Sequence, residues 1–289
     1  MRSLLFVPGD SERKFARAMA SGADVLYLDL EDSVAPTNKN MAREQVAGWL
    51  GSASADAPAL YVRINPLDSG LAERDLAAVV RPGLAGVLLP KPDGAQDVVA
   101  LGAMIDRFEK AAGLPAGGIG IMVVATETPR AVFALGGYAP APPRLTGMTW
   151  GAEDLAAAVG ATANQEADGS WTEPYRMVRS LCLFAACAAE VAPIDTLYAD
   201  FRDAEGLERD CRRSRRDGFT GRIAIHPDQV ATINRCYSPS EAEVAQARAI
   251  VAAFAANPGA GTLGIDGKMY DLPHLKAAAR TLAAAGETA

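Results

Sequence analysis

The run Ser3-Leu4-Leu5-Phe6-Val7, closed by Pro8-Gly9-Asp10 and followed by helical spacing over residues 11–21, decides the fold. A short, nearly unbroken apolar run reads as a strand buried on both faces, and such strands occur in parallel sheets covered by helices. The turn after it lacks the Gly-x-Gly-x-x-Gly pattern that a doubly wound dinucleotide-binding sheet carries at this point. The same strand-then-helix unit then recurs along the chain. Strands are read near 24–29, 60–64, 86–89, 119–124, 145–150, 196–198 and 222–225, and helices at 40–51, 71–80, 96–111, 129–135, 173–190, 205–217 and 227–235. Eight such pairs predict an α/β fold, a closed (βα)8 barrel over residues 1–236.

Residues 237–289 read as a C-terminal helical extension able to act as a lid. Ser238-Pro239-Ser240 caps a helix at 241–256, the break Asn257-Pro258-Gly259-Ala260-Gly261 leads to 262–271, and a last helix covers 273–285.

The 289 residues, 49% hydrophobic and 22% charged, suit one barrel of about 250 residues with an appendage. A net charge of −7 gives no basis for general binding to nucleic acid or membrane surfaces, so a polyanionic ligand must be met by local cations. Apolar stretches are interrupted before the roughly 18 residues that span a bilayer, and the start is too short for a signal segment, so a cytoplasmic protein is expected. Cys182, Cys187, Cys211 and Cys236 have neither CxxC spacing nor disulfide-scaffold density and read as small buried or half-buried residues. Arg212-Arg213-Ser214-Arg215-Arg216 reads as a solvated helix face rather than a phosphate site.

A barrel of this kind places its chemistry at the C-terminal ends of the strands. Polar residues there are mostly acids: Asp29-Leu30-Glu31-Asp32 after the second strand, Glu127 after the fifth, Glu153-Asp154 after the sixth. Arg63-Ile64-Asn65 ends the third and Pro90-Lys91-Pro92 the fourth. Which of Asp29, Glu31 and Asp32 point into the mouth is left open by alternation. Glu127 and Asp154 lie one unit apart, so their carboxylates can converge on one rim and hold a Mg²⁺ ion, with Mn²⁺ as a substitute. Their other reading is as helix N-terminal carboxylates favoured by the dipole. Two histidines, His226 and His274, are too few for a His-rich zinc site.

The stretches Arg2–Gly9, Leu28–Val34, Arg63–Asn65, Gly151–Leu155, Ile225–Pro227, Ser238–Ser240 and Asp266–His274 resemble, in order and end to end, the HpcH/HpaI aldolase and citrate lyase β-subunit family. The resemblance implies a TIM-type barrel enzyme, a magnesium-dependent carbon–carbon lyase of the oxo-acid-lyase type. Its substrate would be a CoA or carrier-protein thioester of a β-hydroxy acid such as malyl-CoA, citramalyl-CoA or citryl-CoA, giving an acyl-CoA and an α-keto acid. It also implies Glu127 and Asp154 as metal ligands, Glu31 and Asp32 as acids reaching the metal through water, and Arg63 as the enolate-stabilising arginine. Asp271 would serve as acid/base from the tail of a neighbouring subunit in a homotrimer or homohexamer, provided that burial raises its pKa. Free N–H groups at Gly151 and Ala152 would hold the keto acid's carboxylate, and Arg13 and Lys14 would meet the CoA phosphates; exposed helix charges are the other reading of that basic pair.

Other readings stay open. Lys91 could be the Schiff-base lysine of a metal-free aldolase, which would leave the two carboxylates unexplained. The aldehyde-cleaving branch of the superfamily uses a histidine early in the barrel, and this chain has none before His226, which reads as orienting a loop. Ala158 stands where the family often has a second acid. Malyl-CoA thioesterase chemistry on the same residues, or a citrate lyase β-subunit that needs carrier partners, are the alternative activities.

Overall fold

The computed structural model describes residues 1–52, 54 and 57–287; residues 288 and 289, the last two of the expected tail, lie outside the described residues. Eight parallel strands close on themselves in sequence order: β1 (Ser3–Pro8), β2 (Val25–Asp29), β3 (Ala59–Arg63), β4 (Leu84–Leu89), β5 (Gly120–Val124), β6 (Leu145–Thr149), β7 (Ala192–Asp195) and β8 (Gly221–Ala224). β1 pairs with both β2 and β8, which removes any sheet edge. Helices α1 (Glu12–Met19), α2 (Lys39–Gly51), α3 (Ala72–Val79), α4 (Ala95–Ala112), α5 (Pro129–Ala134), α6 (Glu153–Val159), α7 (Glu173–Ala188), α8 (Ala204–Asp217) and α9 (Val230–Tyr237) alternate with them.

The interior is filled by every second residue of the strands, among them Leu4, Val25, Tyr27, Tyr61, Leu88, Met122, Ile194 and Ile223. This parity settles the open question at β2. Val25 and Tyr27 point inward, so Asp29 does too, and Arg63 follows Tyr61 in the same way on β3. The pairing Asp29↔Arg63 then sets the two side chains abreast at the mouth.

Three expectations need correction. The seventh strand is Ala192-Pro193-Ile194-Asp195, not 196–198, which is irregular and contributes loop residues to the mouth. A seven-residue helix, α6, directly follows β6 and takes Glu153 and Asp154 into its first turn. Cys187 is exposed, while Cys182, Cys211 and Cys236 are buried, all four as free thiols.

The chain divides into two compact units, Met1–Asn234 and Arg235–Ala289. The second holds α10 (Glu241–Ala256) and α11 (Leu272–Ala284), packed through Ala247, Ile250, Phe254, Ala278 and Leu282. Residues 262–271 form a hairpin: β9 (Thr262–Ile265) and β10 (Lys268–Asp271) pair antiparallel around Asp266-Gly267, both at positive φ. No described helix is long and apolar enough to cross a membrane.

Candidate active site

Asp29 and Arg63 form the base of the site. Arg63 donates to Asp29 Oδ1 and Oδ2 through Nε and Nη2 at 2.7 and 2.6 Å, a bidentate fork. Its remaining nitrogen, Nη1, lies 2.8 Å from Glu31 Oε2, and the guanidinium sits 4.7 Å over the Phe6 ring. Burial opposes the charge on both partners. The hydrogen bonds and the facing charge overcome it, so Asp29 is held below the usual carboxylate range and Arg63 above its ordinary value.

Lys91 gathers four acids from three different loops. Its N–H donates to Glu127 Oε2 at 2.6 Å, and its ammonium donates to Glu31 Oε1 at 2.6 Å and Asp32 Oδ2 at 2.9 Å, with Asp154 Oδ1 at 3.3 Å. The residue stands between two prolines at φ 51, a left-handed conformation that costs an L-residue about 1–2 kcal/mol and persists only where the surroundings impose it. Burial works against its charge, yet Glu31 and Asp32 raise its pKa above the ordinary lysine value. A Schiff-base lysine needs the opposite shift, so the ammonium is built to stay charged.

Glu127 is strongly perturbed. Burial pushes its carboxyl up to about 8; the Lys91 N–H opposes this, and the negative charges of Asp154 and Glu31 add to it. Glu31 is raised for the same reason, with Arg63 and Lys91 pulling the other way. Glu31 is buried and Asp32 is largely exposed, so of the acids after β2 it is Asp29 and Glu31 that face inward.

The hard oxygen donors of Glu127 and Asp154, crowded by further acids, fit a divalent cation that relieves their repulsion. Among the described residues no group of three or more His, Cys, Asp or Glu is placed to hold a metal ion by itself.

One sequence expectation fails here. The Gly151 N–H is not free, because it donates to Thr126 Oγ1 at 3.1 Å. Gly151 matters for space: a Cβ there would come within 2.8 Å of Glu127 Cγ. The Ala152 N–H, just before α6, has no acceptor among the described residues.

Two cavities open on this cluster. A small pocket of about 100 Å³ is lined by Arg63, Glu127, Gly151, Ala152 and Asp154, with Trp150 and Trp171 in its wall. A cleft of about 630 Å³ is lined by Arg13, Lys14 and Arg17 from α1, with Pro8, Asp29 and His226. Arg63, Phe6 and Leu197 belong to both, so the guanidinium stands on their shared wall. Arg13 and Lys14 are exposed, while Arg17 pairs with Asp228 at 3.1 Å. His226 stacks on Phe201 and accepts the Asp228 N–H, which orients the loop after β8. Asp271, in the second unit, caps α11 and lies 2.5 Å from His274 Nδ1. That contact holds its carboxyl below the ordinary value, so the raised pKa expected from burial is not a property of this chain alone.

Lys91 as the hub of the acids, Phe6 under the guanidinium and Thr126 behind Gly151 escaped the sequence. For Lys91 a signal existed, a lone cation between two prolines at a strand end.

A family model described as HpcH/HpaI aldolase/citrate lyase matches residues 2–227, and one described as a C–C bond lyase of the TIM-barrel fold matches residues 174–286. A citrate lyase subunit beta-like protein of Mycobacterium tuberculosis is 35% identical over 283 residues, covering 98% of this chain and 95% of its own. An L-malyl-CoA/beta-methylmalyl-CoA lyase of Cereibacter sphaeroides is 33% identical over 294 residues, covering 96% and 92%. The crystal structure of CitE from M. tuberculosis in complex with magnesium, acetoacetate and coenzyme A superposes with a TM-score of 0.78 at 34% identity, covering 99% of this chain and 98% of that one. By its motifs, its closed barrel and these matches, the chain belongs to the HpcH/HpaI aldolase/citrate lyase family, carbon–carbon lyases of the TIM-barrel fold.

Proposed function

We propose that this protein cleaves, and in reverse forms, the Cα–Cβ bond of a β-hydroxyacyl-CoA, giving an acyl-CoA and an α-keto acid. The observation that carries the reading is the place of Arg63 on the wall between a small acid-lined pocket and a long cleft edged by basic residues. A thioester whose pantetheine arm lies in the cleft brings its carbonyl to that wall, with its hydroxy-acid end in the pocket. A related structure holds magnesium, acetoacetate and coenzyme A together, which supports a site that takes a CoA group and a small keto acid.

Mg²⁺ held by Glu127 and Asp154 would polarise the substrate's hydroxyl or keto oxygen and offset the charge of the acid cluster. The Ala152 N–H is available to the substrate carboxylate. As the hydroxyl proton passes to solvent water, the C–O bond becomes a carbonyl, the Cα–Cβ pair moves onto the thioester, and the guanidinium of Arg63 stabilises the resulting enolate oxygen. Arg63 cannot lose its proton there, and the Asp29 fork keeps it from turning away. Asp271 of a neighbouring subunit then protonates the enolate carbon, in a cytoplasmic homotrimer or homohexamer whose tails are shared; burial beneath that neighbour would supply the raised pKa the step needs. Arg13 and Lys14 meet the CoA phosphates at the open end of the cleft.

The test is a coupled assay of the purified chain on malyl-CoA, citramalyl-CoA and citryl-CoA, with and without EDTA. Keto acid should appear with added Mg²⁺ or Mn²⁺ and stop with chelator. Free CoA thiol without keto acid would point instead to thioester hydrolysis, and activity only with added carrier protein to a citrate lyase β-subunit.

A further inference from the structure

We propose that the small pocket selects monocarboxylic 2-oxo acids, those bearing hydrogen or a short apolar group on the keto carbon, against dicarboxylic ones such as oxaloacetate. This rests on the lyase reading above and narrows its substrate class to thioesters that release glyoxylate- or pyruvate-like products.

The argument is one of charge. Every 2-oxo acid brings one carboxylate, for which the Ala152 N–H and the bound cation provide. A dicarboxylic acid brings a second, carried on the keto carbon into the depth of the pocket. Beyond the acids the wall is mostly apolar, with Val124, Trp150, Leu197 and Ile223, and its neutral polar side chains include Thr149 and Thr196. Among the described residues lining the pocket, Arg63 is the only cation; its three nitrogens face Asp29 and Glu31 at 2.6 to 2.8 Å, and the N–H donors left over are those assigned above to the thioester oxygen. Lys91 lines neither cavity, and its ammonium is engaged by Glu31 and Asp32. Glu127, Glu153 and Asp154 line the same space and would repel a second anion. The Thr149 hydroxyl, buried without a partner among the described residues, offers one neutral hydrogen bond and no charge. A second carboxylate would therefore lose its water for an apolar wall and acidic neighbours, whereas a methyl or ethyl group gains from the same surroundings.

Trp150 and Trp171 in the wall make the pocket its own reporter. The intact chain with Mg²⁺ is titrated with glyoxylate, pyruvate, 2-oxobutyrate and freshly dissolved oxaloacetate, following tryptophan fluorescence. Pyruvate and 2-oxobutyrate should bind at least about 30-fold more tightly than oxaloacetate, the loss expected from an unpaired buried charge. Leu197→Lys, which adds a cation at the wall, should shift the ratio toward oxaloacetate by about tenfold or more. Oxaloacetate binding as tightly as pyruvate overturns the proposal, because a cation then reaches the pocket from elsewhere. Binding of 2-oxobutyrate as weak as that of oxaloacetate also overturns it, because size alone then explains the preference, and so does failure of all four acids to bind. Cleavage assays separate this inference from the reading it rests on. The predicted binding order without cleavage of any thioester supports the pocket's selectivity and defeats the lyase reading, while fastest cleavage of citryl-CoA upholds the lyase reading and defeats the selectivity.

Discussion

The backbone N–H of Lys91 donates to Glu127 Oε2 at 2.6 Å, while the side chain of the same lysine turns back to Glu31 and Asp32. One residue thus aims a carboxylate with its main chain and neutralises two others with its side chain. The left-handed φ of 51° is what lets both groups point at the mouth.

That conformation has a stability signature separate from the charge. Lys91→Gly and Lys91→Ala both remove the ammonium, but only glycine relaxes the backbone. Lys91→Gly should be about 1 kcal/mol more stable than Lys91→Ala in denaturant unfolding. Both should lose most activity, and Lys91→Arg should recover part of it. Equal stabilities for the two small variants would mean that the φ stores no strain.

Arg63→Lys keeps a positive charge but cannot grip both oxygens of Asp29 while facing Glu31. We expect kcat to fall about 100- to 1,000-fold with little change in KM. A rise in KM alone would reassign Arg63 to substrate binding.

The Glu127 carboxyl, pushed up to about 8 in the fold, has an ordinary value near 4.3 in the unfolded chain. Between those values the folded state binds more protons than the unfolded state, so stability falls as pH rises through the window and levels off above it. In EDTA, the Tm of the wild-type chain should fall from pH 5 to pH 8 relative to Glu127→Gln, and saturating Mg²⁺ should abolish that difference. A Glu127→Gln variant that tracks the wild type across the range would place the carboxyl's titration elsewhere.

Assembly is testable by complementation. Asp271→Asn and Arg63→Ala subunits, each nearly inactive alone, are mixed under conditions that exchange subunits. Sites shared between subunits would bring an intact Arg63 together with an intact Asp271, and a fraction of wild-type activity should return. Exchange without recovery would mean that each tail serves its own barrel.

Much of the barrel was legible because its strands are buried on both faces and stand out as short apolar runs. β7 was not, because Ala192-Pro193-Ile194-Asp195 contains a proline, which ordinarily disqualifies a central strand. Pro193 is tolerated in a strand that pairs over only two residues on each side. The short α6 leaves no sequence signal, because its seven residues, three of them alanine, show no amphipathic period. At the site, strand-end acids were visible as types but not as directions. The direction of Asp29 follows from the place of Tyr27 inside the barrel, and the Gly151 N–H is taken by Thr126, a residue on a different strand end. Nothing in the letters Pro-Lys-Pro announces a positive φ, since glycine is the usual sign of one.

The chemistry-bearing residues come from five consecutive strand ends: Asp29, Glu31 and Asp32 after or at β2, Arg63 on β3, Lys91 after β4, Glu127 after β5, Asp154 after β6. To the small pocket, β1, β7 and β8 with their loops contribute Phe6, Thr196, Leu197 and Ile223, which carry no charge. In evolutionary terms the mouth has a frozen arc and a free one. A descendant can change its acyl specificity through the loops of the free arc without disturbing a single ion pair on the other side, and diversification within such a lineage should be written mainly there.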